Sequence, residues 1–334
     1  MRRILRSIDN FQQRHRVIAF PFAVIKKFGD DQAGYLAALV AYYGFFSLFP
    51  LLLVLVSVLG FVLHGNPHLQ QSILNSALRN FPVIGPQLTR DVSGLKSGTA
   101  LGIGIAGTLW AGLGVTMAAQ YAMNQIWDIP RKDWPNFVFS RLRGLLLLAV
   151  LGSMTIVSTF ASGFGSSSAG RTVSVVDVLV RVAGVAVSFV MNILLFALAY
   201  RVLTVKNLTW KAVRAGAITA AVLWTALQYV GGFYVTHQLK NASEVYGTFA
   251  AVIGLLVWIY LGAQITLYCA EINVVRERHL WPRGMFQPPL TKSDEEVYTS
   301  AAKQVQLRPE QSISVSFSDP ADREHGTEAA GGGD

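Results

Sequence analysis

Apolar residues in this chain do not alternate with polar ones. They run in long blocks separated by short polar connections. Six blocks cover about 33–63, 99–123, 141–163, 178–203, 212–237 and 247–270. Each reaches the ~20 apolar residues that a bilayer core requires. In hydrocarbon the backbone must satisfy itself, and blocks of this length do so as helices. The pattern therefore predicts an all-α polytopic membrane protein with six transmembrane helices. Ahead of the first block, Ile4, Leu5, Ile8 and Phe11 recur at helical spacing beside arginines. That is the pattern of an interfacial helix, so residues 1–30 are expected to form an amphipathic arm. Leu69, Ile73, Leu74, Leu78 and Phe81 mark one short amphipathic helix after block one, and Leu88, Val92 and Leu95 mark another. Pro82 and Pro86 break the chain between them, and both are expected on the outer face. After Trp281 the sequence turns polar and ends Gly-Gly-Gly-Asp, so 281–334 is expected to be a largely disordered tail.

Charge orients the blocks. Of the 28 Lys and Arg residues, 22 fall in the arm, the second and fourth connections and the tail. Five (Arg79, Arg90, Lys96, Arg171 and Lys240) fall in the other loops, and Arg181 lies within a block. Basic residues accumulate on the cytoplasmic side, which puts both termini there. Only 14% of residues are charged against 52% hydrophobic, too thin a charge to cover a soluble surface. The net charge of +9 then reflects this bias and an attraction to anionic headgroups. Because it is divided among four segments, a nucleic-acid partner is not expected. No cleavable signal peptide is expected either, since a polar, basic stretch precedes the first apolar block.

One detail of block one stands out: "AYYGFFSLFPLLLVLV" (41–56) carries Ser47 and Pro50 inside an apolar run. Proline removes one helical hydrogen bond and crowds the carbonyl four residues back, here Phe46. Tyr42-Tyr43, Ser47 and Pro50 before a leucine run resemble the first span of the YihY/BrkB family of bacterial inner-membrane proteins. The likeness continues in "YAMNQIWDIP", with Asn124 and Trp127, and in Arg141 and Arg143. It extends to Gly216, Trp224, Tyr234, Tyr246-Gly247, Trp258, Tyr260 and Glu271, and covers about residues 20–280. Length and basic tail look most like the YhjD-type branch. The resemblance implies a multi-pass protein of the bacterial inner membrane. Some members carry an older label of tRNA-processing ribonuclease, some resemble proteins linked to serum resistance, and the YhjD-type branch is linked to lipopolysaccharide precursor export.

Candidate chemistry is mostly not catalytic. The single cysteine, Cys269, excludes a multi-cysteine metal site. His64 and His68 lie in "HGNPH", where Gly and Pro prevent a shared helix face. Ser93 and Lys96 have Ser-x-x-Lys spacing without the companion motifs of such enzymes. Metal-dependent phosphodiester hydrolysis needs clustered ligands, and the acidic residues are scattered, which disfavours a ribonuclease. No enzyme activity, metal or cofactor is expected. Polar groups inside the spans are more informative, since burying one without a partner costs free energy. Ser47, Gln120, Asn192, Gln228 and Gln264 come from five different spans, and Asn124, Tyr246 and Pro50 join them from the family-like motifs. They either bond helix to helix or line a polar path. Pro50 is either a structural bend or a hinge. Arg181 is expected to pair with Asp177 near the outer surface. Glu271 closes block six at the cytoplasmic boundary, where the helix dipole disfavours an anion. It needs a cation, and Arg201, Arg214 and Arg276 are expected at its depth. It is then a clamp, or a substrate or proton site. The leading expectation is transport or flipping of a lipid-like or envelope substrate; the alternative is a non-transporting scaffold. Membrane lipids are the expected partners, and a homo-oligomer is compatible with the pattern.

Overall fold

The computed structural model describes residues 2–62, 98–150, 175–238 and 244–317. Among these, the regular structure is helical. The arm forms α1 (Arg2–Arg14) and α2 (Arg16–Asp30), broken at His15, whose backbone is extended. Long helices follow: α3 (Ala33–Val62), α4 (Gly98–Ile126), α5 (137–150), α6 (Val175–Leu203), α7 (Trp210–Gln238) and α8 (Glu244–Glu277). A last helix, α9 (Lys292–Gln304), lies in the tail.

Three of these helices contain stretches long and apolar enough to cross a bilayer: Ala186–Leu203, Trp210–Gly231 and Val252–Glu277. A shorter apolar stretch, Ala33–Leu48, opens α3. The helix α3 continues through Pro50 to Val62. Ser47 Oγ donates to the Gly44 carbonyl at 2.8 Å, so the hydroxyl serves a different carbonyl from Phe46. The outer amphipathic helices expected near 69–81 and 88–95 lie outside the described residues. So do the side chains of Pro50, Tyr246, Asp177 and Arg181.

Packing is uneven along the bundle. α8 runs at its centre and touches α2, α3, α4 and α7, while α6 packs on α7 and α4. The buried cluster gathers at one end, where Phe28, Ala37, Ile126, Trp127, Leu203, Val213, Leu267, Val274 and Leu280 meet. Along the long helices Tyr35, Trp110, Val187, Tyr229 and Ile253 point outward, as expected where lipid tails are the solvent. α7 and α8 approach closely at Gly216, whose N–H donates to Asn273 Oδ1 at 2.7 Å. A methyl group there would overlap the Cys269 carbonyl. Small residues at such crossings let helices pack where no hydrophobic force drives them together.

The arm and the tail both belong to this packed end. In α1, Ile8 and Phe11 are exposed while Asp9 and Gln12 are buried. The apolar face thus points outward, and Asp9 accepts a hydrogen bond from Met285 N at 3.0 Å. The tail departs from expectation. Within the 281–334 segment expected to be largely disordered, α9 begins with a capping box in which Thr291 and Asp294 satisfy each other's backbone. Its one fully buried apolar anchor is Val297. Polar pairing holds the rest, which an average of hydropathy does not register.

Candidate functional site

The first polar centre is built by chain reversals. α4 ends at Ile126, and Asp128 takes a left-handed backbone (φ 52°) that turns the chain back. α2 ends likewise before Gln32 (φ 52°). These two corners deliver Lys27, Asp31 and Asp128 against the last turns of α8. Lys27 is fully buried, and its Nζ donates to Asp31 Oδ2 at 2.5 Å, to Asp128 Oδ1 at 3.3 Å and to the Ile126 carbonyl at 3.3 Å. Arg278 Nη1 reaches the other oxygen of Asp128 at 2.6 Å. Gln304 of α9 donates to Asp128 Oδ1 at 2.8 Å.

Glu271 lies in the same centre. It is fully buried; no amide, hydroxyl or cation donates to either carboxylate oxygen, and the group faces the Asp31 carboxyl, to which it can bond through a shared proton. The cation acting on it is Lys27, not the expected Arg201, Arg214 or Arg276. Arg201 is committed to the Leu208 carbonyl (2.8 Å) and the Trp210 ring (4.5 Å). Arg214 and Arg276 are exposed. Burial alone would lower the Lys27 pKa, but Glu271, Asp31 and Asp128 outweigh it and hold the amine above the ordinary lysine range. Asp31 is pushed up to about 6, chiefly by burial, with Lys27 pulling the other way. Two cations, Lys27 and the partly exposed Arg278, therefore face three carboxylates.

A second centre fastens the tail. Arg283, fully buried, donates to Asp294 Oδ1 at 2.8 Å and to Asp30 Oδ2 at 2.6 Å. Lys26 donates to Asp294 Oδ1 at 3.0 Å and to the Gly284 carbonyl at 2.6 Å. Burial alone would raise the Asp294 pKa; the Gly284 N–H, Thr291, Lys26 and Arg283 hold it well below the usual carboxylate range. Adjacent lysines on α2 thus serve two separate centres.

Four of the other intramembrane polar groups bond to nearby groups. Ser47 and Gln264 bond within their own helices, Gln264 Nε2 donating to the Tyr260 hydroxyl at 2.9 Å. Gln120 donates to the Ser140 carbonyl at 3.0 Å, and Asn124 Oδ1 accepts from Val205 N at 3.1 Å. Asn192 and Gln228 are half-buried. A groove of about 290 Å³ opens between α6 and α7. Among the described residues, no group of three or more His, Cys, Asp or Glu is arranged to hold a metal ion.

Comparison with known proteins decides the family. The family model described as virulence factor BrkB matches residues 24–289, which include both polar centres up to Gly284. The chain belongs to the BrkB family. Among its BrkB-type relatives, the inner membrane protein YhjD of Escherichia coli (strain K12) is 26% identical over 83% of this chain and 87% of its own length. A UPF0761 membrane protein of Vibrio vulnificus (strain YJ016) is 26% identical over 81% of this chain and 86% of its own. A protein named as ribonuclease-like, YfkH of Bacillus subtilis (strain 168), is 23% identical over 72% of this chain and 88% of its own. No solved structure matches the chain. Family membership, together with helices able to cross a bilayer, makes this an inner-membrane protein.

Within the BrkB match, sequence reasoning found Glu271 and missed its surroundings. Lys27 and Asp31 carry a legible signal, since Lys and Asp four apart share a helix face. Asp128 sits inside the quoted "WDIP" motif. Only the fold brings these to Glu271, because the four positions are spread over 245 residues.

Proposed function

We propose that this BrkB-family protein moves an amphipathic, lipid-like envelope substrate across the inner membrane, with the Lys27–Glu271 centre as its charge-bearing working part. The observation that supports it is the fully buried Glu271 carboxyl, which no amide, hydroxyl or cation hydrogen-bonds and which faces a second carboxyl, Asp31. A buried charge without partners costs several kcal/mol unless it is neutralised. A centre built only for stability would saturate its oxygens or replace the group with an apolar one. Glu271 instead shares one lysine with two carboxylates that already bond it, and its hydrogen bond to Asp31 requires a proton held between the two carboxyls. It is placed to take a proton or a substrate's cationic group. Six crossings with both ends in the cytoplasm complete the reading. In its favour, the basic arm, the 127–134 turn, the 204–209 loop and the tail meet at one end of the bundle. The reading gives the chain no catalytic step.

A scaffold without transport is the second reading. It is favoured by the pairing of Ser47, Gln120, Asn124 and Gln264 with nearby groups. Reconstituted vesicles separate the two. Transport predicts that the protein speeds the movement of fluorescent lipid analogues over protein-free vesicles and that Glu271→Gln returns the rate to background. No acceleration by the unaltered protein would leave the scaffold.

A further inference from the structure

The groove between α6 and α7 has two unlike halves. Its floor is apolar: Ile193, Leu194 and Ala197 from α6, and Ile218 from α7. Its mouth is formed by Trp210, Lys211 and Arg214 at the start of α7. Both cations are exposed, and neither makes an ion pair among the described residues. Arg201 stacks on Trp210 with its guanidinium 4.5 Å from the ring centre, holding the indole at the mouth and adding a third positive charge. No carboxylate lines the groove.

Depth and charge together point to an occupant. Leu194 lies nine residues before the end of α6 at Leu203, about 14 Å at ~1.5 Å per residue. That is close to half of a hydrocarbon core about 30 Å thick, the reach of one leaflet. The volume of about 290 Å³ is at the small end of ligand sites. An indole belongs at the headgroup level, and basic pockets between helices on the cytoplasmic side recognise anionic headgroups. We propose that this groove holds one anionic phospholipid of the inner leaflet, its phosphate against Lys211 and Arg214 and an acyl chain along Ile193, Leu194 and Ile218. A zwitterionic lipid presents a cation that this mouth does not complement. The site does not depend on transport; its inner-leaflet placement rests on the cytoplasmic position of the 204–209 loop in the proposed topology.

Trp210 supplies the readout. Full-length protein is reconstituted in phosphatidylcholine vesicles containing increasing fractions of either phosphatidylglycerol or phosphatidylcholine brominated in the acyl chain. The fluorescence quenching due to Trp210 is obtained by subtracting a Trp210→Phe variant. Phosphatidylglycerol should quench at a mole fraction lower by on the order of ten-fold, given the attraction of two basic side chains to one headgroup. The Lys211→Gln/Arg214→Gln double variant should lose that preference. Arg214→Lys, which keeps the charge, should retain it, as should Lys206→Gln, altered at an exposed residue outside the groove. Equal quenching by the two lipids, or a preference that survives in the double variant, would overturn the site. Quenching by neither lipid would also overturn it, since a second copy or another protein would then cover the groove.

Discussion

Lys27 and Glu271 form an unequal pair, and the inequality makes their roles separable. Lys27 is bonded to Asp31 and Asp128 as well as facing Glu271, so neutralising Glu271 leaves no cation stranded. Glu271→Gln is therefore expected to accumulate and fold normally while losing substrate movement, measured as membrane abundance and as flipping rate in vesicles. Lys27→Met is the contrary case. It leaves three buried carboxylates with only Arg278 against Asp128, and stranding a buried charge costs roughly 3–5 kcal/mol. Its abundance and thermal stability in detergent should both fall, and adding Glu271→Gln should restore part of the loss. Restoration by neutralising Arg201 or Arg214 instead would return Glu271 to the partners its sequence position suggests. That suggestion failed for a physical reason: hydropathy orders residues along a helix but does not give their azimuth around the bundle. Arg201 turns to Trp210, and the arm supplies the cation.

At the scale of elements, the long apolar helices and the amphipathic arm could be read directly from the sequence because burial in lipid requires them. The helix α9 could not, because its stability comes from a few polar contacts in a segment whose average composition is that of unstructured chain. Asp294 is its keystone, accepting from Gly284 N, Thr291, Lys26 and Arg283. Asp294→Asn should weaken the docking of the tail by about 3–5 kcal/mol, the range for breaking a buried ionic centre, and expose 292–304 to protease. The pH dependence has a definite sign. The folded pKa of Asp294 lies below its unfolded value of ~3.9. Its contribution is thus complete above about pH 4 and is lost as the pH falls below that value. Asp31, pushed up to about 6, acts in the opposite sense. The folded state holds its proton more tightly, so its contribution grows as the pH drops from above 6 towards 4. Tail protection in the unaltered protein should then fail only below pH 4, and Asp294→Asn should remove that acid sensitivity. α7 and α8 offer a simpler test. Gly216→Ala places a methyl against the Cys269 carbonyl, and overpacking of this kind costs about 1–3 kcal/mol or more. A variant as stable as the parent would mean that the two helices can separate at little cost.

For the molecule as a whole, the segments expected in the cytoplasm on charge grounds are held together by named contacts. Lys27 of the arm touches Asp128, Asn124 accepts from Val205, Arg143 donates to the Thr204 carbonyl, and Gln304 of the tail reaches Gln125 and Asp128. These belong to the arm, the second connection, the fourth connection and the tail. The six alternating crossings we propose would bring that set to one face of a membrane. A chain with an odd number of crossings would put its ends on opposite sides and separate the arm from the tail. The contact between Lys26 and Asp294 would then be impossible. Topology can therefore be tested independently of function. In a background lacking Cys269, single cysteines at Ser72, Ser167 and Ala242 should react with an impermeant thiol reagent in intact cells. Cysteines at Lys132 and Asn207 should react only after the membrane is opened. Labelling at 132 or 207 in intact cells would remove the six-crossing arrangement and the inner-leaflet placement of the groove. The ionic centre would remain, but it would have to be reinterpreted on the outer face.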